Sequence, residues 1–144
     1  MRLVLDTNIV VSGLLWNGAP RRLFRAATNT GALLFISPPL LEELTDVLSR
    51  RKFEKRIAAL CFTSKQLLEI YLKKALVVQP YPVPRLAPDP DDDVVIGTAL
   101  AAKADFIVTG DKPLLSVEVF EGGRIVSVGE ALEAIAQSAS HNKQ

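Results

Sequence analysis

Residues 2–8, RLVLDTN, contain a short apolar run that stops at an acid. A continuous apolar run of this length is typical of a strand that is buried on both faces, because neither face has to carry polar residues. A second run, FIVTGD at 106–111, also ends in polar residues that include an acid. We therefore predict two buried strands that are followed by Asp6 and Asp111.

Strands and helices alternate along the rest of the chain. Further strands are predicted at 33–36, 76–79 and 125–128, and helices at 9–16, 20–28, 38–50, 57–76, 92–103, 112–115 and 130–136. This alternation is typical of a parallel sheet covered on both faces. It predicts an α/β fold with three layers, α/β/α, around a central and mainly parallel sheet. We expect a single domain over residues 1–137 and a flexible tail over 138–144. The proline-rich segment 80–90 is predicted to be an ordered loop.

Composition excludes several classes of protein. Of the 144 residues, 49% are hydrophobic, which excludes a disordered chain. The net charge of +1 excludes a uniformly basic nucleic-acid-binding chain, although a local basic patch remains compatible with it. Cys61 is the only cysteine, so an internal disulfide and a multi-cysteine zinc site are excluded. The first apolar stretch is interrupted at once by Asp6, and no apolar run approaches the roughly 20 residues of a membrane-spanning helix. We expect a cytoplasmic protein without membrane contact.

Each acid of interest has an ordinary structural explanation. Asp6 and Asp111 can each cap a following helix, and Glu43 borders the apolar face of its own helix. Acids near a helix N-terminus are also favoured by the helix dipole. However, one cap needs one carboxylate, and the run DPDDD at 89–93 supplies four. Asp92 and Asp93 both share a helix face with apolar residues, so helical geometry barely separates them.

The acids make a different prediction when they are considered together. If the sheet brings Asp6, Asp111 and the helix start at Asp92 together, with Glu43 beside them, the site holds four carboxylates. Two unit charges 4 Å apart repel by roughly 4 kcal/mol at an effective dielectric constant of 20. Since a domain is stable by only about 5–15 kcal/mol, such a site needs protons or cations. Oxygen ligands without cysteine or histidine favour Mg²⁺ or Mn²⁺, and such centres hydrolyse phosphodiesters.

Other catalytic classes lack an essential residue. The only histidine, His141, stands near the C-terminus, which argues against histidine acid–base ribonucleases and Ser-His-Asp hydrolases. The sequence contains neither a P-loop nor a dinucleotide-binding glycine motif. An aspartyl-phosphate phosphatase would need an acid where Asn8 stands. A phosphorylated receiver domain would need a strand-end aspartate in the middle of the chain, and residues 53–68 contain none.

Four motifs follow one another along the chain: LDTN at 5–8, SPPLLEEL at 37–44, DPDDD at 89–93 and ADFIVTGD at 104–111. In these motifs and in their order over residues 1–128, the chain resembles the PIN-domain family. It is most similar to the small prokaryotic, VapC-like members that act as toxins of toxin–antitoxin pairs. The resemblance implies a PIN-like fold and a nuclease activity.

The resemblance also implies a set of site residues. The acids that bind Mg²⁺ or Mn²⁺ and take part in catalysis would be Asp6, Glu43, Asp92 and Asp111. Asp92 is preferred to Asp93 because the family's acid usually stands seven residues before a helix alanine, here Ala99. A shift of one residue would make Asp93 the ligand. Asn8 and Thr109 match polar positions that hold the carboxylates and the attacking water.

The implied reaction is the cleavage of single-stranded RNA by a metal-activated water, without a covalent enzyme intermediate. The implied partners are the RNA substrate, a cognate antitoxin that inserts into the active-site groove, and a second copy of the chain in a homodimer. Two other functions remain open: a non-catalytic PIN scaffold that binds RNA or a protein, and a DNA nuclease.

Phosphate contacts require lysine and arginine side chains. The candidates are Arg21, Arg22, Arg25, Arg50, Arg51, Lys52, Lys55 and Arg56. An exposed helix face without RNA contact is the alternative for each of them. Trp16 and Phe53 could stack on bases, although single aromatic residues near helix ends more often belong to the core.

Overall fold

The computed structural model of the chain describes residues 1–83 and 90–142. The strands are β1 (Arg2–Leu5), β2 (Leu33–Ile36), β3 (Ala75–Val77), β4 (Phe106–Val108), β5 (Val119–Phe120) and β6 (Gly123–Val126). The helices are α1 (Thr7–Leu15), α2 (Ala19–Thr30), α3 (Pro38–Leu48), α4 (Glu54–Ala59), α5 (Ser64–Lys74), α6 (Pro90–Ala102), α7 (Lys112–Leu115) and α8 (Val128–Asn142). A 3₁₀ turn at Arg51–Phe53 precedes α4.

The six strands form one sheet in the order β3-β2-β1-β4-β6-β5. Every pair is parallel except β5 with β6. Val4 in β1 stands opposite Phe35 of β2 on one side and Ile107 of β4 on the other. The predicted α/β fold with a central, mainly parallel sheet is confirmed. Because β1 and β4 are neighbours, their carboxyl ends lie side by side.

The core lies on both faces of the central strands. Leu3 and Val4 of β1 and Ile107 of β4 are completely buried, as expected of strands with a continuous apolar sequence. Helix α6 packs against β1, β2 and β4, and α2 packs against α8. No helix within residues 1–83 and 90–142 combines the length and the apolar character that crossing a membrane requires.

The structure differs from the sequence prediction at several element boundaries. The helix predicted at 57–76 is two helices, because the chain adopts a positive φ of 61° at Cys61. Helix α5 then begins with a capping box, in which Gln66 N–H donates to Thr63 Oγ1 over 3.1 Å. The closing helix, predicted at 130–136, runs over Val128–Asn142 and so includes most of the predicted tail. Of the proline-rich loop predicted at 80–90, residues 84–89 lie outside the described residues.

Candidate active site

Asp6 and Thr109 lie next to each other where β1 and β4 end. The Asp6 N–H donates to the carbonyl of Val108 over 2.9 Å, and the Thr109 N–H donates to the carbonyl of Val126 over 3.0 Å. These bonds extend the parallel pairing one residue beyond each strand, which fixes the backbone that carries both side chains. Asp6 is also the N-cap of α1, so the same residue ends the strand and begins the helix.

Two hydrogen bonds join Asp6, Thr109 and Asp111, and a third holds Asp6 from its own helix. The Thr109 hydroxyl donates to Asp6 Oδ2 over 2.7 Å and accepts from the Asp111 N–H over 3.0 Å. The Thr7 N–H donates to the other carboxylate oxygen, Asp6 Oδ1, over 2.8 Å. Since Thr109 is completely buried, its hydroxyl serves these two neighbours and not bulk water. The structure therefore brings together three of the residues that the sequence singled out.

The electrostatics of this cluster make a negative charge on Asp6 costly. Burial raises the pKa of the Asp6 carboxyl, the hydrogen bonds from Thr109 and Thr7 lower it, and the negative charge of Asp111 raises it. The net result is a pKa above the ordinary value for aspartate. Two carboxylates within electrostatic range, one of them only 8% exposed, favour the binding of a proton or a cation.

The helices that carry the other predicted acids begin at the same edge of the sheet. Helix α6 packs on β1 and leads into the parallel strand β4, so it runs antiparallel to the strands and begins at their carboxyl ends. Its first turn carries Asp92 and Asp93, which are both half-buried. Helix α3 begins directly after β2 and carries Glu43 on an exposed face. Asn8 is exposed in the first turn of α1.

A buried hydroxyl pair fixes α6 against the start of α3. Thr98 Oγ1 lies 2.7 Å from Ser37 Oγ and 2.7 Å from the carbonyl of Val94, and both hydroxyl-bearing residues are completely buried. Ser37 is the N-cap residue of α3, as its sequence context predicts, but its side chain makes no capping hydrogen bond. Its hydroxyl bonds to Thr98 instead, and so connects the helix that carries Glu43 to the helix that carries Asp92.

Thr98 is a positioning residue that the sequence analysis did not identify. Its position in the sequence, between the apolar residues Val95 and Ala99, could have indicated this role. The hydroxyl of a threonine on an apolar helix face needs a hydrogen-bond partner, either in the same helix or in a distant part of the chain. The distant partner, Ser37, is 61 residues away in sequence, and only the fold reveals it.

Thr98→Val is expected to reduce the free energy of unfolding by about 1–3 kcal/mol, because it keeps the side-chain shape but leaves the buried Ser37 hydroxyl without this partner. Urea denaturation measures the loss. Thr45→Val is the matched control: Thr45 is exposed on α3 and its hydroxyl bonds only to the Leu41 carbonyl of the same helix, among the described contacts. We expect a change within about 0.5 kcal/mol there. Equal effects in the two variants would contradict the assignment.

The predicted RNA-contacting residues have different environments. The Arg21 guanidinium donates to the carbonyls of Gly13 over 3.0 Å and Leu14 over 2.9 Å, so it caps the C-terminal end of α1. Arg50 pairs with Asp46 over 3.4 Å. In contrast, Arg22, Arg51 and Lys52 are exposed. Arg21 thus has a structural role within the chain, whereas these three side chains face solvent.

The donor set fits a hard divalent cation. Among residues 1–83 and 90–142, no three acidic, histidine or cysteine side chains stand close enough together to hold a metal ion in a cage of protein ligands, so the structure does not gather Asp92 or Glu43 into one group with Asp6 and Asp111. Mg²⁺ does not require such a cage, because it is usually held by one or two carboxylates together with water and substrate phosphate. Asp6 and Asp111 supply two carboxylates, and burial together with the charge of Asp111 raises the pKa of Asp6, so a nearby positive charge would favour its ionised form.

The sheet order also marks this position as a binding crevice. From β1, the chain builds β2 and β3 on one side and then crosses to β4 on the other side. In open α/β sheets, ligands bind beyond the carboxyl ends of the strands at such a switch point. Asp6 follows one of the two strands that flank the switch, and Thr109 and Asp111 follow the other.

Comparison with known proteins agrees with this geometry. A family model described as a PIN domain matches residues 2–113, which include all four predicted acids. The chain belongs to the PIN-domain family. The sequence-based identification is therefore confirmed, and the crevice between β1 and β4 lies within the matched part of the PIN domain. No curated protein sequence matches the chain.

Two solved structures share the fold of this PIN domain. The first is VapBC2 from Rickettsia felis bound to a DNA fragment from their promoter, with 17% identity, a TM-score of 0.63, and coverage of 88% of this chain and 98% of that chain. The second is PAE2754 from Pyrobaculum aerophilum, with 16% identity, a TM-score of 0.59, and coverage of 94% and 89%. At these identities the likeness concerns the fold alone.

Proposed function

We propose that this PIN domain is an endoribonuclease that depends on Mg²⁺ or Mn²⁺ and acts as the toxin of a toxin–antitoxin pair. PIN domains are generally nucleases and generally use divalent metal ions. The observation that carries the proposal for this chain is the cluster of Asp6, Thr109 and Asp111 at the crevice between β1 and β4.

We assign the metal-binding role to Asp6, Asp92 and Asp111, and we assign Glu43 as a further ligand or as the group that orients the attacking water. A bound Mg²⁺ or Mn²⁺ supplies Lewis-acid stabilisation of the phosphate charge and lowers the pKa of water.

The protein contributes preorganisation to this reaction. The Thr109 hydroxyl and the Thr7 N–H each hold one oxygen of the Asp6 carboxylate, so its orientation is fixed before any ligand arrives. Asp111 is held in the same way, because its Oδ2 accepts from the Leu114 N–H over 3.1 Å. Two oriented carboxylates on neighbouring strand ends therefore require little rearrangement to bind a cation.

The likeness to a solved VapBC structure supports one of the proposed partners. The VapBC2 structure is a toxin–antitoxin complex, which supports a cognate antitoxin as partner of this chain. We include a homodimer and a cytoplasmic location in the proposal. The free and exposed Cys61 is compatible with a reducing compartment.

The proposed activity is tested by incubating the purified protein with a single-stranded RNA and, in a parallel reaction, with a single-stranded DNA of the same sequence. With Mn²⁺ present, we expect the RNA to be cut internally and the DNA to remain intact. RNA binding without turnover would instead identify a non-catalytic scaffold, and cleavage of the DNA alone would identify a DNA nuclease. Either result would overturn the proposal.

A comparison of Asp92→Asn with Asp93→Asn tests which of the two carboxylates in the first turn of α6 binds the metal ion. Asp92 shares its helix face with Val95, Ile96 and Ala99, which are all buried, whereas Leu100 on the face of Asp93 is only partly buried. We therefore expect Asp92→Asn to reduce the metal-dependent cleavage rate by at least about 100-fold, since substitutions that only support a ligand already cost 10- to 100-fold. We expect Asp93→Asn to stay within about 3-fold of the unmodified protein. A larger loss of activity in Asp93→Asn than in Asp92→Asn would identify Asp93 as the ligand. If both variants cleaved RNA at the rate of the unmodified protein, a role for this helix in metal binding would be contradicted.

A further inference from the structure

Trp16 and Phe53 form an aromatic surface at the far end of α1, which we call the aromatic platform. Trp16 directly follows α1 and is 44% exposed. The Phe53 ring packs against it edge to face, with 6.0 Å between the ring centroids and 66° between the ring planes. The platform therefore joins the end of α1 to the 3₁₀ turn before α4, and it leaves a large part of the indole accessible to solvent.

Arg56 holds the platform in place. Its Nε donates to the carbonyl of Leu15 over 2.7 Å, and its guanidinium carbon lies 5.9 Å from the centroid of the Trp16 ring. A side chain from α4 thus caps the last turn of α1 and contacts the indole at the same time. Because Arg56 and Phe53 already hold the Trp16 ring in place, a ligand that stacks on the ring loses little binding free energy to ordering of the side chain.

Basic residues accompany Phe53 in the sequence, and one of them contacts its ring. Arg51, Lys52 and Lys55 are exposed, and Lys52 Nζ lies 5.0 Å from the centroid of the Phe53 ring. Of the basic residues at 50–56, Arg50 is the one with an ion pair in the described part of the chain, to Asp46. Aromatic rings beside exposed cations are the combination with which proteins bind single-stranded nucleic acid, since bases stack on the rings and phosphates contact the cations.

Helix α1 connects the candidate active site to the aromatic platform. Helix α1 is capped by Asp6 at one end and is followed by Trp16 at the other. Its nine residues span about 14 Å at 1.5 Å per residue. That length equals about four nucleotide steps at the 3.4 Å spacing of a stacked strand.

We propose that the aromatic platform binds an unpaired base of the single-stranded RNA substrate, a few nucleotides from the cleaved bond, while Arg51, Lys52 and Lys55 contact the adjacent phosphates. This inference rests on the proposed ribonuclease function for the identity of its ligand. It does not depend on the metal centre, so binding at the platform is measurable in the absence of cleavage.

The fluorescence of Trp16 reports stacking directly, because Trp16 is the only tryptophan in the chain. The experiment titrates a ten-nucleotide single-stranded RNA into the Asp6→Asn protein in EDTA, where cleavage is prevented, and follows binding by the anisotropy of a label on the RNA. We expect the indole emission to be quenched in parallel with binding. Polyphosphate of similar charge is the control ligand, and we expect it to leave the emission unchanged.

The possible results separate the two proposals. If RNA quenches the Trp16 emission but the unmodified protein does not cleave RNA under any condition, the proposed base-binding platform is supported and the proposed nuclease activity is overturned. Cleavage by the unmodified protein, with binding but no quenching in the Asp6→Asn protein, would overturn the platform and leave the nuclease intact. Failure of the RNA to bind, or equal quenching by polyphosphate, would also overturn the platform.

A pair of alanine variants gives a second test. Trp16→Ala is expected to weaken RNA binding by about 5- to 150-fold, which is the range for removing one stacked base contact. Tyr81→Ala is the matched control, since Tyr81 is a 56% exposed aromatic residue that lies beside Leu100 and Lys103 near the end of α6. We expect less than about a 2-fold change there. Equal affinities in the two folded variants, verified by thermal denaturation, would identify the platform as a surface for something other than RNA.

Discussion

Asp6→Asn is expected to reduce the rate of metal-dependent RNA cleavage by about 10²- to 10³-fold, the loss typical of removing one preorganised charged or polar contact to the reacting groups. The substitution keeps the size of the side chain but removes the charge that we propose holds the cation. The amide fills the same space, and its single oxygen can accept one of the two hydrogen bonds that Thr109 and Thr7 donate to the carboxylate.

Asp105→Asn is the matched control for this prediction. Asp105 is exposed at the opposite edge of the sheet, just before β4, where its Oδ2 accepts from the Arg2 N–H over 2.8 Å. We expect its cleavage rate to stay within about 2-fold of the unmodified protein. A large loss of activity in both variants would show that the effect of Asp6→Asn is not specific to the proposed site.

Asp6→Asn is also expected to raise the thermal stability of the protein in EDTA. Burial raises the pKa of Asp6 in the folded state, so without a cation the ionised carboxylate destabilises the fold above that raised pKa. The destabilisation disappears as the pH falls below the ordinary aspartate value, because both states are then protonated. The gain in melting temperature should therefore be present at pH 7 and absent at pH 3. A lower melting temperature at pH 7 would contradict this reasoning.

Removal of divalent ions is expected to abolish cleavage. EDTA should reduce the rate to the level of buffer alone, and an excess of Mn²⁺ or Mg²⁺ should restore it, because Asp6 and Asp111 are not accompanied by a histidine within hydrogen-bonding reach among the described contacts. The same treatment should leave RNA binding measurable by anisotropy, since the phosphate contacts come from lysine and arginine. Full cleavage in EDTA would contradict the proposed mechanism.

The central sheet and the position of Asp6 could be predicted from the sequence because their signals are local. A strand buried on both faces has to be apolar throughout, so RLVL and FIV stand out, and a polar residue directly after such a strand falls at the carboxyl edge. The motif order then identified the family. The pairing of β1 with β4 depends on contacts across more than 100 residues, and only the resemblance indicated it.

Other features depend on tertiary contacts and had no clear local signal. Strand β5 is two residues long and forms only because it pairs with β6. The break near Cys61 contains neither glycine nor proline, although its backbone has the positive φ that glycine usually provides. Arg21 illustrates the same difficulty in the site: an arginine on a helix face looks free to contact phosphate, but its partners are the carbonyls of Gly13 and Leu14.

Calorimetric titration of Mn²⁺ into the metal-free protein at pH 7 tests whether the strand-end carboxylates form a cation site. We expect saturable binding to the unmodified chain and no measurable binding to the folded double variant Asp6→Asn, Asp111→Asn. An unmodified chain that takes up no Mn²⁺, or a double variant that binds it equally well, would contradict the assignment of this crevice as the metal centre.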